Sequence, residues 1–259
     1  MSDDLGALLR RRDPDRFLAS LFAPAALRPA LWALCAFNDE LARAREVASE
    51  PTLALIRLHW WREVVEGTRK RHEVATPLSD AVAQGLLLPS DLLAMIDARE
   101  AEAGDPFETA AAWRDWLHAG AGGLAVAAAR LLGAPDPEAY RPLGAAYGAG
   151  GALRSARLLA AHGRCLLPLD ALAARGIASA EHFVADPVSD AAFAALADLA
   201  RTAEGWLRGA RIARSRGAVA AALPAVLARR DLRRTGIDPA PRGFADKLAV
   251  TAAGLTGRI

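Results

Sequence analysis

The chain has 259 residues, of which 53% are apolar and 24% are charged, and its formal net charge is only +2. This balance is typical of a globular protein with an ample core, and it argues against a disordered tail or a nucleic-acid binder. The two cysteines, Cys35 and Cys165, fit no C-x-x-C spacing, so we interpret them as thiols of a reducing compartment.

The first 17 residues contain no apolar segment of signal-peptide length. The most apolar run, residues 119–132, contains Arg130 and is too short to cross a bilayer. We therefore expect a cytoplasmic protein, or one that binds peripherally to the inner face of a membrane.

Apolar residues recur at spacings of three and four through nearly the whole chain, and they almost never alternate with period two. The pattern predicts helices over residues 14–24, 25–46, 51–67, 77–87, 90–103, 108–132, 138–161, 169–175, 180–186, 190–214 and 218–235. In the third of these Leu53, Ile56, Trp60 and Val64 recur at spacings of three and four. With no repeat and no long linker, we expect one all-α domain over residues 1–259, with a partly ordered tail at 237–259.

Residues 148–168, GAGGALRSARLLAAHGRCLLP, begin with small residues that let a helix approach a neighbour closely, and glycine and proline mark their end. This stretch resembles the second signature of the squalene/phytoene synthase family, a helix with L-R-D-x-x-x-D that leaves through G-R-x-Y-L-P. The matching residues are Leu153, Arg154, Gly163, Arg164, Leu167 and Pro168. Ser155 and Leu159 stand where the family has its metal-binding aspartates.

The first signature of the family reads A-F/Y-C-R-x-x-D-D/E-x-x-D, and residues 36–46, AFNDELARARE, correspond to it. If the motif is anchored on Ala36, its carboxylate pair falls on Ala42 and Glu46. If it is shifted by three residues, it ends on Arg43. Neither register places two carboxylates one helical turn apart.

The resemblance implies a single-domain helical bundle of the isoprenoid synthase type, with residues 25–46 and 138–161 facing each other across a central space. In the enzymes, carboxylates on these two helices hold Mg²⁺ ions, which draw off the diphosphate of a prenyl substrate. Here only Glu46 retains a carboxylate at a motif end, and Arg43 and Arg45 add positive charge beside it. We therefore expect no catalytic residue and no cofactor, and Mg²⁺ only if the chain is a prenyl transferase.

Residues 28–38, 43–46, 49–51 and 56–62 resemble one branch of the family, which includes the mitochondrial complex I assembly factor and its alphaproteobacterial relatives. This implies a catalytically silent fold used as an assembly or binding factor in respiratory complex I biogenesis, with a protein partner. Two alternatives stay open: a head-to-head prenyl transferase, and a prenyl-lipid carrier that keeps an apolar cavity.

The resemblance also gives a set of candidate cavity or anion-binding residues: Asp39, Arg43, Glu46, Arg154 and Arg157. The arginines either bind a diphosphate or lipid headgroup, or pair with Asp39, Glu46 or Glu50 in a network that closes the cavity. We favour the closed network, because an unpaired buried charge is strongly unfavourable.

Trp60 and Trp61 are candidates for a groove or partner surface. Neighbours on a helix point about 100° apart, so we expect one ring in the core and the other in a groove, on a protein partner or on a membrane.

Overall fold

The computed structural model describes residues 2–46, 50–103, 106–212, 216–234 and 241–259, and every regular element in these ranges is helical. The α-helices are α1 Ser2–Arg12, α2 Pro14–Ser20, α3 Arg28–Glu46, α4 Pro51–Val65, α5 Ala75–Ala83, α6 Pro89–Ala103, α7 Ala110–Ala119, α8 Ala121–Leu131, α9 Arg141–Arg154, α10 Ala156–Ala161, α11 Leu169–Ala173, α12 Asp190–Gly209, α13 Val219–Ala222, α14 Pro224–Arg234 and α15 Phe244–Thr256. Short 3₁₀ turns occupy Ala25–Leu27, Pro137–Tyr140 and Ala180–Phe183. The predicted all-α class is confirmed.

Local sequence explains where several helices begin. The side chains of Asp13, Thr109 and Ser189 each accept a hydrogen bond from a backbone N–H in the first turn of α2, α7 and α12, respectively. These contacts satisfy donors that have no partner within the helix. Helix α4 begins at Pro51, whose missing N–H costs nothing at a first helical position.

Three predicted helices are broken in the structure. Residues 108–132 form α7 and α8, separated at Gly120, whose φ of −77° and ψ of −84° are not helical. Residues 218–235 are divided before Pro224, because proline has no N–H to continue the hydrogen-bond ladder. Residues 138–161 divide at Ser155, where no side chain makes a capping hydrogen bond.

Two terminal helices differ from the prediction. Helix α1 was not predicted, although its buried side chains Leu5, Leu8 and Leu9 have helical spacing. The predicted tail contains α15, a regular helix of 13 residues, and residues 235–240 before it lie outside the described part of the chain.

The apolar stripe that the spacing shows on α4, Leu53, Ile56, Trp60 and Val64, is only partly buried. Leu53 and Ile56 are 46% and 61% exposed. The buried stripe is instead made by Ala54, Leu58, Trp61 and Val65, with Val64 beside it. Both stripes have helical spacing, so periodicity alone does not distinguish them.

Helix α9 lies at the centre of the bundle and packs against α7, α8, α12 and α14. Its contact with α8 depends on glycine. A Cβ on Gly144 would lie 2.3 Å from the carbonyl oxygen of Ala121, and one on Gly148 would lie 2.7 Å from the Ala121 Cβ. The two glycines are one turn apart, so the two backbones touch where any side chain would separate them. One large cluster of buried side chains extends from α1 to α14.

Candidate functional site

Helices α3 and α9 contribute to the wall of one small cavity. Leu31 and Cys35 come from α3, and Leu143, Gly144 and Tyr147 come from α9. The cavity volume is about 30 Å³, room for one or two water molecules, since roughly 10–15 Å³ of such space suffices for each. Small-molecule pockets typically have about 300–1,000 Å³. This cavity is too small for a prenyl chain.

The rest of the cavity wall is mostly alanine and explains why the space is narrow. Short side chains let α8, α13 and α14 approach α2 and α9 closely, and the lining alanines are Ala19, Ala121, Ala125, Ala128, Ala220, Ala221 and Ala225. None of the four candidate residues with described side chains, Asp39, Arg43, Arg154 and Arg157, is in the wall. The side chain of Glu46 lies outside the described part of the structure.

Arg154, at the end of α9, contacts an acid on α14. Its Nη1 lies 3.4 Å from Oδ2 of Asp231, and the Asp231 side chain is only 3% exposed. From the sequence we expect Asp39, Glu46 or Glu50 as partners for the arginines, whereas this contact is made by Asp231. Glu50 is exposed.

Asp231 accepts further hydrogen bonds from Arg242, whose Nη1 and Nη2 lie 2.5 and 2.7 Å from its carboxylate oxygens. The Nε of Arg242 donates to Asp15 at 2.8 Å, and the hydroxyl of Tyr147 donates to the same Asp15 oxygen at 3.0 Å. We call Arg154, Asp231, Arg242, Asp15 and Tyr147 the central ion-pair chain. It joins α2, α9, α14 and the residues before α15.

Burial and neighbouring charges together set the pKa values of Arg242 and Tyr147 in this chain. Burial would lower the pKa of Arg242, but hydrogen bonds and charges from Asp231 and Asp15 outweigh it, and the pKa is raised. Burial raises the pKa of Tyr147, and the neighbouring acids Asp13 and Asp15 act in the same direction. Both side chains therefore keep their protons at every physiological pH.

A second ion-pair group lies beside α1. The Nη1 of Arg12 is 2.5 Å from Oε1 of Glu40 and 3.4 Å from Oδ2 of Asp39. Burial raises the pKa of Asp39, while the charges of Arg12 and Arg43 oppose that rise. The acids of the first signature are thus held by an arginine of α1, a helix that the sequence analysis did not predict.

Four of the five candidate residues have described side chains, and these lie on three helices, α3, α9 and α10. Asp39 and Arg43 interact on α3, Arg154 is paired with Asp231, and Arg157 is half-buried on α10 after the break at Ser155. The sequence did contain a signal for Asp231, because it lies on the buried stripe of α14 with Ala225 and Ala228. An acid on an apolar stripe requires a buried partner.

Trp61 and Trp60 differ in exposure. Trp61 is 4% exposed and packs edge-on against Phe37 of α3, with ring centroids 5.4 Å apart. Trp60 is partly exposed, and its ring contacts His72 and the ammonium of Lys70, which lies 5.0 Å from the ring centroid. Only Trp60 is available to a partner.

A family model described as squalene/phytoene synthase matches residues 9–248. The chain belongs to the squalene/phytoene synthase family. A crystal structure of a dehydrosqualene synthase with a ligand superposes on this family member with a TM-score of 0.80 at 16% identity, covering 99% of this chain and 95% of that one. The predicted isoprenoid synthase fold is confirmed.

The curated relatives of this chain are named as an assembly factor and not as a synthase. NADH dehydrogenase (ubiquinone) complex I, assembly factor 6 from Homo sapiens is 37% identical over 102 residues, covering 38% of this chain and 31% of that protein. The protein of the same name from Bos taurus is 31% identical over 185 residues, covering 68% of this chain and 55% of its own length. The chain thus matches about a third to a half of the length of these relatives.

The magnesium sites that the squalene/phytoene synthase family implies do not fit the residues present. Asp39 and Glu40 are engaged by Arg12, and Arg154 occupies the C-terminal end of α9, beside Ser155. Mg²⁺ requires oxygen ligands in near-octahedral geometry. Within the described ranges, no group of three or more His, Cys, Asp or Glu side chains is placed to hold a metal.

Proposed function

We propose that this chain is a non-catalytic member of the squalene/phytoene synthase family that acts as an assembly or binding factor in the biogenesis of respiratory complex I. The names of the curated relatives support the link to complex I. The small cavity between α3 and α9 supports a role without prenyl substrate.

That cavity is the observation on which the proposal chiefly rests. At about 30 Å³ it is roughly tenfold smaller than a ligand pocket. The central ion-pair chain ties α2, α9 and α14 together next to it through Tyr147, which belongs to both. Opening a space for a prenyl chain would separate buried charges, which is costly. A prenyl-lipid carrier and a prenyl transferase both need that space.

We propose that the protein acts through its outer surface, where it contacts a protein partner. Trp60 is the candidate contact to a protein partner, since its ring is partly exposed next to Lys70. We also propose that the protein works at the inner face of the membrane as a peripheral protein. No helix among the described residues is both long and apolar enough to cross a bilayer.

The test is deletion of the gene in its own organism, followed by measurement of NADH:quinone oxidoreductase activity in isolated membranes. We expect that activity to fall, while succinate:quinone oxidoreductase activity stays unchanged. We expect rescue by the natural chain and equally by Glu46→Gln, since the one remaining signature carboxylate has no catalytic role. Normal complex I activity in the deletion strain would refute the proposal, and a failure of Glu46→Gln to rescue would favour an enzyme.

A further inference from the structure

Helix α15 exposes a row of large apolar side chains to solvent. Its outward side chains Phe244, Leu248 and Leu255 are 81%, 55% and 77% exposed. Their spacings of four and seven residues place them on one face. The opposite face buries Asp246, which is 3% exposed, and Val250. Single exposed apolar side chains are ordinary on protein surfaces, but a stripe along a whole helix indicates a binding surface.

Contacts on the inner face fix this orientation. Asp246 accepts hydrogen bonds from Arg230 and Arg234 of α14, at 2.6 and 3.0 Å. Near the other end, a Cβ on Gly254 would lie 2.5 Å from the Phe22 ring, so the helix touches that ring directly. Rolling α15 to bury its apolar stripe would expel Asp246 from its two arginines. The apolar face therefore points outward as a consequence of the fold.

The exposed charged side chains of the described residues 224–234 and 241–259 are all basic, although Arg233 also contacts Glu204 of α12 at 3.6 Å. The described residues 224–234 and 241–259 contain two acids, Asp231 and Asp246, and both are buried and bound by arginine. The same ranges contain seven basic residues, of which five belong to the exposed class: Arg229, Arg233, Arg234, Lys247 and Arg258. The surface of α14 and α15 that reaches solvent is thus basic and apolar, without an accessible acid among these residues.

We propose that α15 is a membrane-docking helix that binds bilayers containing anionic phospholipids and lies in the plane of the headgroups. From Phe244 to Leu255 the stripe is about 16 Å long at about 1.5 Å per residue. Its side chains enter the boundary between headgroups and acyl chains, while the exposed Lys247 and Arg258 of the same segment reach lipid phosphates. Helix α15 would then be the surface through which the protein binds the membrane peripherally, as proposed above. This binding does not depend on a role in complex I.

The test is flotation of the purified full-length protein with vesicles. Two compositions are compared, phosphatidylcholine alone and phosphatidylcholine with about 30% phosphatidylglycerol. We expect binding to the anionic vesicles, weakened when salt is raised from about 0.1 to about 0.5 M because screening shortens the range of the charges. The triple variant F244S/L248S/L255S should bind about tenfold or more weakly, since three large apolar side chains no longer leave water.

A matched control is the triple variant L53S/L55S/I56S on α4, which removes exposed apolar side chains elsewhere and should bind like the natural chain. Circular dichroism checks that both variants remain folded. The proposal is wrong if the natural chain does not float with anionic vesicles, if the α15 variant floats equally, or if both triple variants lose binding alike. A dimer in light scattering that the α15 variant dissociates would assign the face to a second copy instead. Vesicle binding and complex I activity are separate measurements, so either proposal can fail alone.

Discussion

At the scale of single residues, Asp231 determines how the charges in the centre of the molecule are satisfied. Its carboxylate is almost completely removed from water and accepts hydrogen bonds from both Arg154 and Arg242. Burying a charge is favourable only when its partners remain in place. Because Arg242 also binds Asp15, loss of Asp231 leaves a buried arginine with one acid instead of two.

We predict that Asp231→Asn lowers the free energy of unfolding by about 3 kcal/mol, because one charge of a buried group is removed. Arg154→Gln should cost only about 1 kcal/mol, since its contact is longer and its side chain is 20% exposed. Urea denaturation followed by circular dichroism measures both. Equal losses in the two variants would show that Asp231 is not the centre of the network.

The pH dependence of stability should report on Asp246. Its pKa is lowered from 3.8 to about 2, first by the hydrogen bond from Arg234 and then, against the effect of burial, by Arg230. A lowered pKa stabilises the fold above the unfolded value, and this contribution is lost as pH falls from about 4 to about 2. The stabilisation contributed by ionised Asp246 amounts to about 2 kcal/mol.

We therefore expect Asp246→Asn to be less stable than the natural chain at pH 7, and the difference to shrink as pH falls from about 4 to about 2. Subtracting the two denaturation series removes the contributions of the other acids. A difference that stays constant over this range would mean that Asp246 has an ordinary pKa in the folded protein.

At the scale of elements, α8 and α9 pack closely against each other at the cavity. Gly144 and Gly148 make it possible, because each stands where a Cβ would meet Ala121. This contact keeps the cavity wall narrow, since Ala121 and Gly144 both line it. The small volume of the cavity thus depends on the spacing of these two helices.

We predict that Gly144→Ala destabilises the protein by about 3 kcal/mol, because its Cβ would overlap the backbone of α8. Gly151→Ala is the matched control on the same helix, where no atom lies within 4 Å of the added Cβ. That change should stabilise by roughly 0.5–1 kcal/mol, since alanine favours helix more than glycine does. Thermal unfolding of both variants tests this, and tolerance of alanine at Gly144 would contradict the packing account.

At the scale of the whole molecule, periodicity predicted most helices, and the signature residues predicted the fold. Periodicity failed where one helix offers two apolar stripes, as α4 does with Leu53 and Ile56 against Leu58 and Trp61. Only packing against α3 and α6 chooses between them. The partners of Arg154 were equally beyond local patterns, because Asp231 is 77 residues away.

For the whole protein we predict no release of diphosphate from farnesyl or geranylgeranyl diphosphate with Mg²⁺ or Mn²⁺. Ser155 and Leu159 stand where carboxylates are needed, and the cavity of about 30 Å³ does not admit the chain of the substrate. A coupled phosphate assay measures the release against a control without protein. If the natural chain releases diphosphate and Glu46→Gln abolishes that release, the chain is a prenyl transferase.

The bond between Arg242 and Asp15 joins residues 227 positions apart, and this has a consequence for synthesis of the chain. A ribosome adds Asp15 to the chain 227 residues before Arg242. Until Arg242 emerges, Asp15 and Asp231 lack the cation that they share, and α2 has no tie to the segment before α15. Contacts so distant in sequence form late, because closing a long loop costs chain entropy before any contact repays it. A nascent chain halted before residue 242 should therefore be far more sensitive to protease around α2 than the released protein.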